Sequence, residues 1–167
     1  MRETPIDETV ERLVRELRDV LSGQDRCVAT AESLTGGYLA AALSAGPHAE
    51  RWYRGGIVAY QPEVKYGLLR TPHGPVVTAP TAQAMAASAA VLLGADYAVG
   101  VTGVGGPAPS EGKPAGTVYI STSDGKVATA AELYEFEGDP VRVLHQTICA
   151  SLRALIARVL ECDQPAP

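Results

Sequence analysis

Three short segments carry residue types that could do chemistry, and each one directly follows an apolar run. The first is Glu32–Gly37, in which Ser33 ends the run and two glycines precede an Ala- and Leu-rich stretch. Glycines let a backbone approach a ligand closely, and the free N–H groups of a helix N-terminus attract negative charge. The segment could therefore bind a phosphate or present Ser33 beside an oxyanion hole, although a simple helix cap explains the same residues.

The second segment could supply the base that a serine nucleophile needs. Histidine is scarce in the chain, so a lysine kept neutral by burial is the alternative. Lys65 is the best candidate, because Tyr60 ends an apolar run and Lys65 lies one turn into the helix that Pro62 begins. The Tyr60 phenol could relay a proton or hold the lysine. On spacing alone, a solvated Lys65 and a half-buried Tyr60 are the favoured interpretation.

The third segment, Thr102–Pro107, is glycine-rich and also follows an apolar run. Successive backbone amides in such a loop could wrap an anion or a sugar. The segment does not contain the phosphate-binding pattern G-x-x-x-x-G-K-[ST], and its match to a dinucleotide-binding fingerprint is weak. An ordinary long loop is the alternative. Lys113 could place a cation over the same pocket, although a single loop lysine is usually solvated.

The composition limits the classes of protein to which the chain can belong. Of its 167 residues, 46% are apolar and 20% are charged, which is typical of one globular domain. We therefore expect a single domain over residues 1–167, with frayed ends at 1–5 and 162–167. The formal charge of −5 argues against binding to nucleic acid, since the 14 Lys and Arg residues are outnumbered by 19 Asp and Glu residues.

Metal, disulfide and membrane chemistry are disfavoured as well. Neither the histidines nor the cysteines have the spacing of a metal site, and an odd number of cysteines does not indicate a disulfide framework. No apolar run reaches the length of a transmembrane helix, and the charged N-terminal stretch lacks the apolar core of a signal peptide. We predict a cytoplasmic protein that uses no metal or cofactor and does not bind membranes.

Alternating short strands and helices must position the three segments. The pattern predicts a first helix capped by Thr4 and ended by Gly23. Further helices are predicted over 38–45, 62–69, 80–93 and about 140–161, and strands over 27–31, 56–60 and 97–101, with a late hairpin of 116–122 and 126–136. This order indicates an α/β fold, a three-layer α/β/α sandwich with a mixed, mainly parallel sheet of about five strands. Ligand sites in such folds gather at the carboxyl ends of strands, where all three segments fall.

Four segments taken together resemble the CinA C-terminal domain family, the nicotinamide-nucleotide amidases. Residues 31–37 resemble its AES-C/L-TGG motif, residues 54–65 its RGFVTYSNEAK segment, residues 102–107 its [ST]GIAGP and residues 113–119 its KPVGTVW. Their order and spacing agree from about Val10 to Val159. The resemblance is to the stand-alone form of the family, without the separate N-terminal domain that many members carry.

The resemblance implies a metal-free hydrolase that converts nicotinamide mononucleotide (NMN) and water to nicotinic acid mononucleotide and ammonia. By motif position, Ser33 would be the nucleophile, Lys65 its general base and Tyr60 the assisting phenol. The amides near Thr35–Gly37 would stabilise the oxyanion. The implied partners are a small-molecule pyridine nucleotide and a second copy of the chain in a homodimer. The implied substrate-binding residues are Thr35, Gly36, Gly37, Thr102, Gly103, Gly105, Gly106 and Arg142.

One departure from the family pattern concerns the anion-binding side of the site. Where family members read G-D-R-x-x-V-R-R-Q, this chain has Pro140 at the first arginine and Leu144 and His145 at the later pair. Arg142 could reach the same space from the next turn. The loss of an arginine–phosphate contact favours an alternative interpretation, in which the chain is a catalytically impaired nucleotide-binding or assembly module of the same family.

Overall fold

The computed structural model describes residues 4–163, which form six helices and a five-stranded sheet. The helices are α1 (Glu8–Leu21), α2 (Tyr38–Ser44), α3 (Ala49–Trp52), α4 (Pro62–Leu69), α5 (Ala79–Leu93) and α6 (Pro140–Cys162). The strands are β1 (Val28–Glu32), β2 (Tyr53–Val58), β3 (Tyr97–Gly103), β4 (Thr117–Ser123) and β5 (Glu132–Glu135). Residues 1–3 and 164–167, the outer parts of the ends expected to be frayed, lie outside the described residues.

The sheet has the strand order β2-β1-β3-β4-β5 and is mixed. Strands β2, β1 and β3 are parallel, and Glu32 at the end of β1 is in register with Val58 on one side and Val101 on the other. Strands β4 and β5 continue the sheet in antiparallel pairing. Parallel neighbours need helical crossovers, whereas antiparallel strands can follow one another directly. The predicted α/β class and mixed five-stranded sheet are confirmed.

Helices cover both faces of the sheet, which gives the predicted three layers. On one face, α1, α2, α3 and α6 pack against the sheet around large aliphatic residues such as Leu17, Leu43 and Leu152. On the other face, α4 and α5 enclose a smaller core that is rich in alanine. Small residues bring α5 very close to β3: a β-carbon placed on Gly100 would lie 2.4 Å from the Ala82 carbonyl oxygen.

Helix α6 is the central helix of the larger core. Within residues 4–163 it is the one helix long and apolar enough to cross a membrane. More than half of its most apolar stretch is buried inside the protein, 56%. Its buried residues, including Ile148, Leu155 and Val159, pack in the same core as α1. The apolarity of α6 is therefore explained by its place in the core.

The first helix begins later than predicted, because Asp7 and not Thr4 is its N-cap. The Asp7 carboxylate accepts hydrogen bonds from the Thr9 and Val10 N–H groups at 2.9 and 3.0 Å, and its extended backbone is that of a cap residue. The helix ends at Leu21, so Gly23 lies beyond its cap.

Two further boundaries differ from the prediction. The second strand begins at Tyr53, earlier than predicted, directly after the unpredicted short helix α3. The second arm of the late hairpin is strand only over Glu132–Glu135. Thr129 instead bonds back to Thr122 through both its backbone and its hydroxyl, which holds the preceding residues in a loop.

Candidate active site

The carboxyl ends of β1, β2 and β3 meet at one edge of the sheet and bring the three predicted segments together. Ser33 directly follows β1, and Thr102 and Gly103 end β3. The Ala59 N–H donates to the Glu32 carbonyl at 2.8 Å, which extends the pairing of β1 and β2 as far as the residue before Tyr60. The first and third segments also touch, since a β-carbon placed on Gly105 would lie 3.7 Å from Leu34 Cβ. The predicted convergence of the segments is confirmed.

Glu32 organises the turn that carries Ser33, a role that the sequence analysis missed. Its side chain is fully buried, and its carboxylate accepts three backbone hydrogen bonds. One oxygen receives the N–H of Ala40 at 2.8 Å, and the other receives those of Gly37 and Leu39 at 3.0 and 3.2 Å. A carboxylate at a helix N-terminus satisfies N–H groups that lack partners within the helix and complements the helix dipole.

This arrangement corrects the expectation that the Gly36 and Gly37 amides face an oxyanion. The Gly36 N–H donates to the Ser33 carbonyl at 3.1 Å, and the Gly37 N–H donates to Glu32. Both glycines have left-handed backbones, with φ of 56° and 97°, and so allow the chain to turn around the carboxylate. In the described part of the chain, the N–H groups of Leu34 and Thr35 have no partner. The Thr35 hydroxyl is likewise buried without a partner in that part.

Lys65 lies inside the protein, not in solvent. Only 1% of its surface is exposed, and its Nζ donates to the Tyr60 carbonyl oxygen at 2.8 Å. Burial lowers the pKa of Lys65, and the nearby carboxylates of Glu111 and Glu63 partly oppose this by favouring the ammonium. Across residues 4–163, no hydrogen bond joins the Lys65 amine to the Ser33 hydroxyl. The structure thus brings the two residues to the same edge without a direct contact.

Tyr60 contributes its backbone to this arrangement. The residue is 67% exposed, and the lysine is held by its carbonyl oxygen. The expectation that the phenol holds Lys65 is therefore wrong, because the chain turns into α4 directly after Tyr60 and leaves the carbonyl facing the amine.

Thr102, in the third segment, and Glu111, in the loop that follows it, both bind the chain between α4 and α5. Thr102 is 1% exposed, and its hydroxyl donates to the Val76 carbonyl at 2.8 Å. The two carboxylate oxygens of Glu111 accept the N–H groups of Val76 and Val77 at 2.9 and 2.8 Å. The sequence analysis did not single out Glu111. Its partners lie 34 and 35 residues away, so no local pattern could have identified them.

Pro140, the first residue of α6, lies near the glycines of the third segment. A β-carbon placed on Gly106 would lie 3.9 Å from Pro140 Cγ, whereas the stem of Arg142 lies over Gly138. Arg142 is exposed. His145 points elsewhere and pairs with Asp7 at 3.1 Å. The position at which the family pattern has arginine is therefore near the loop, but here it holds a proline ring.

A separate groove of about 470 Å³ lies between α1, α6 and β5. Its walls include the stacked rings of Tyr134 and Phe136 together with Arg153. It contains none of the predicted site residues. Within residues 4–163, no group of three His, Cys, Asp or Glu side chains is arranged to hold a metal ion.

Comparisons with known proteins agree with this architecture. The sequence model of the CinA C-terminal domain matches residues 10–159. A CinA-like protein of Frankia casuarinae is 38% identical over 161 residues, which cover 92% of this chain and 36% of that protein. The chain thus spans about a third of the length of that curated relative, and the same share, 36%, of a relative from Desulforamulus reducens.

Solved structures cover almost the same extent as this chain. The competence damage-inducible protein A of Klebsiella pneumoniae is 31% identical with a TM-score of 0.87, over 93% of this chain and 99% of that one. A CinA superfamily protein of Escherichia coli is 30% identical with a TM-score of 0.84, over 90% of this chain and 92% of that one. With the fold and nine-tenths of the sequence matched, the chain belongs to the CinA C-terminal domain family.

Proposed function

We propose that the chain is a nicotinamide-nucleotide amidase that releases ammonia from NMN with Ser33 as nucleophile and Lys65 as general base. The observation that carries the proposal is the burial of Lys65, which is 1% exposed at the sheet edge that also bears Ser33. A buried amine has a lowered pKa, and only a neutral amine can accept the proton of a serine hydroxyl.

The proposed reaction has two steps. Ser33 Oγ attacks the carboxamide carbon while its proton passes to Lys65 Nζ. The C–N bond then breaks, and the nitrogen leaves as ammonia with the proton that Lys65 returns. Water next attacks the acyl-serine ester while Lys65 takes its proton. The ester C–O bond then breaks, Lys65 returns that proton to Ser33 Oγ, and the acid is released.

The oxyanion in this reaction would meet the N–H groups of Leu34 and Thr35. These are the amides of the turn that have no other partner among the described residues, and preorganised backbone donors of this kind stabilise acyl-transfer intermediates. The unpartnered Thr35 hydroxyl could accept or donate to the carboxamide. The ribose and phosphate would lie along the loop that contains Gly103, Gly105 and Gly106. The assisting role of the Tyr60 phenol stays a prediction.

Ammonia release from NMN tests the proposal. We expect release without added metal, unchanged by a chelator, and a loss of at least about a thousandfold in Ser33→Ala and Lys65→Met. The rate should rise with pH as Lys65 loses its proton, and this acid limb should lie below the usual range for lysine. Ammonia release by Ser33→Ala at the wild-type rate would show that Ser33 is not the nucleophile.

A second function, nucleotide binding without turnover, is favoured by Pro140. The proline ring lies near Gly106 at the position of a family arginine, and it supplies neither charge nor an N–H donor. Under this alternative, calorimetry would detect NMN binding by the wild-type chain while no ammonia appears, and binding would persist in Ser33→Ala. Pro140→Arg would then strengthen binding. The homodimer and the cytoplasmic location remain predictions. Sedimentation of the purified chain tests the homodimer.

A further inference from the structure

We propose that Glu111 is a positioning residue of this site. Its carboxylate clamps the glycine-rich loop, residues 103–116, to residues 71–78, the segment that follows α4. The proposal rests on the amidase function proposed above. It adds that these two chain segments keep their relative position at the proposed site only while the Glu111 carboxylate holds them together.

The clamp is a pair of hydrogen bonds to backbone that has little else to bind. Val76 and Val77 are 8% and 4% exposed, so their N–H groups are largely withdrawn from water. Both donate to the same carboxylate, one to each oxygen. Hydrogen bonds to a charged acceptor are about twice as strong as neutral ones, and a two-pronged contact also fixes orientation. The Thr102 hydroxyl holds the carbonyl side of the same residue, Val76.

The other end of the 71–78 segment is tied to α4. The Thr71 N–H donates to the Lys65 carbonyl at 3.2 Å, and the Tyr66 hydroxyl donates to the Gly74 carbonyl at 2.5 Å. The segment therefore runs from the helix that carries the proposed base to the loop that would surround the nucleotide. Glu111 is the charged group on the loop side of this connection.

The tip of the loop is shaped to present this carboxylate. Ser110 and Lys113 exchange two backbone hydrogen bonds, at 3.0 and 2.9 Å, around Glu111 and Gly112. Glu111 itself has a φ of 51°, a left-handed conformation that is uncommon outside glycine. A turn whose sole requirement was tightness would favour Gly, Asn or Asp at this position. A glutamate is explained by the reach of its side chain to Val76 and Val77.

The clamp also puts a negative charge near the proposed base. Two carboxylates face Lys65, that of Glu111 from the loop and that of Glu63 from its own helix. Removal of either negative charge lowers the pKa of Lys65 further, so the rise of the rate with pH moves to lower pH. Of these two carboxylates, only that of Glu111 accepts the Val76 and Val77 N–H groups, so Glu63→Gln is a matched control that removes a charge without opening the clamp.

The experiment compares wild type, Glu111→Gln, Glu111→Asp and Glu63→Gln with NMN as the probe. It measures KM and kcat for ammonia release, calorimetric Kd, and hydrogen exchange at the Val76 and Val77 amides. Glu111→Gln keeps the length but turns an NH₂ toward one amide, and Glu111→Asp keeps the charge but shortens the reach. In both variants we expect KM and Kd to rise on the order of tenfold, faster exchange at the two amides, and a smaller change in kcat. Glu63→Gln should move the acid limb and leave KM, Kd and exchange as in wild type.

The outcomes separate this proposal from the amidase assignment. A wild-type chain that binds NMN but releases no ammonia refutes the amidase function, and Kd and exchange still decide the clamp. Wild-type values of KM, Kd and exchange in Glu111→Gln overturn the clamp, even if ammonia is released. A lower melting temperature in Glu111→Gln with unchanged Kd also overturns it, because the contact would then serve stability alone. Failure of the wild-type chain to bind NMN refutes both proposals.

Discussion

Replacing Glu32 by glutamine removes one of the two carboxylate oxygens that hold the start of α2. The carboxylate is fully buried and accepts three N–H groups, one on Oε1 and two on Oε2. A glutamine that keeps its oxygen toward Gly37 and Leu39 must point its NH₂ at the N–H of Ala40. One donor then faces another donor in a fully buried site.

The expected loss of stability follows from the number of hydrogen bonds that the Glu32 carboxylate accepts. A hydrogen bond to a charged group contributes about 1.5–3 kcal/mol, and a buried donor left without a partner costs about 1–3 kcal/mol. Glu32→Gln loses one such bond and weakens two, so we expect the free energy of unfolding to fall by about 3 kcal/mol. Glu32→Ala loses all three, and we expect about 4 kcal/mol, because the first turn of α2 can partly open to water. Either loss is a large share of the 5–15 kcal/mol typical of a domain.

Chemical denaturation measures this effect directly. The denaturant concentration at the unfolding midpoint should be lower for Glu32→Gln than for wild type. The dependence of the unfolding free energy on denaturant should stay the same, since the surface exposed on unfolding does not change. Glu16→Gln, on the exposed face of α1, removes a charge without touching a cap and should stay within about 0.5 kcal/mol of wild type. An equal midpoint for Glu32→Gln and Glu16→Gln would refute the reasoning, because it would mean that the three bonds contribute nothing.

Three further predictions concern the elements around the site. Gly100→Ala should destabilise the fold by at least about 3 kcal/mol, since the new β-carbon would lie 2.4 Å from the backbone of α5. Gly67 has open space around it, so Gly67→Ala should stabilise the fold by up to about 1 kcal/mol through the higher helix propensity of alanine in α4. Thermal unfolding of the two variants checks both expectations. Lys65→Met should stabilise the fold, because the buried amine has a lowered pKa, so the unfolded chain binds more protons between that pKa and the usual value of 10.5. Wild-type stability should therefore rise with pH through this window, and the advantage of Lys65→Met should be greatest below it and shrink above it, as denaturation at several pH values would show. Thr102→Val should cost about 1–2 kcal/mol in chemical denaturation, because the buried Val76 carbonyl loses its donor, whereas Thr102→Ser, which keeps the hydroxyl, should cost less.

The sequence was sufficient to predict the order of the elements other than α3, and the edge of the sheet at which the three segments meet. Apolar runs of strand length alternate with helical spacing, and glycine or proline separates them, as Gly94 does after α5. Such patterns are local, and parallel strands bring their carboxyl ends together whatever the details of packing. Ser33, Lys65 and Thr102 therefore fall at one edge, as their positions after apolar runs predict.

The roles of individual side chains were harder to predict, because they depend on competition between acceptors and on contacts distant in sequence. Thr4 and Asp7 are both of residue types that can cap a helix. Asp7 is the cap because it lies three residues before Val10 and accepts the N–H of that core residue. Glu32 ends a strand of buried residues, a position in which a charge is not expected. Its burial is explained by the amides of the next helix, which become its partners only when the glycine turn folds back.

The carboxylates at two helix starts limit which part of a nucleotide the proposed site could hold. Glu32 already occupies the N–H groups at the start of α2, and at the start of α6 the Asp139 carboxylate accepts the Arg142 N–H while Pro140 supplies no donor. Two places that commonly bind phosphate are thus filled by the protein's own negative groups. A nucleotide phosphate would therefore have to be held from the exposed side, by the guanidinium of Arg142 or by Lys113. The buried side contains the Leu34 and Thr35 amides, which have no partner among residues 4–163, and the desolvated Lys65. It is therefore suited to a neutral carboxamide.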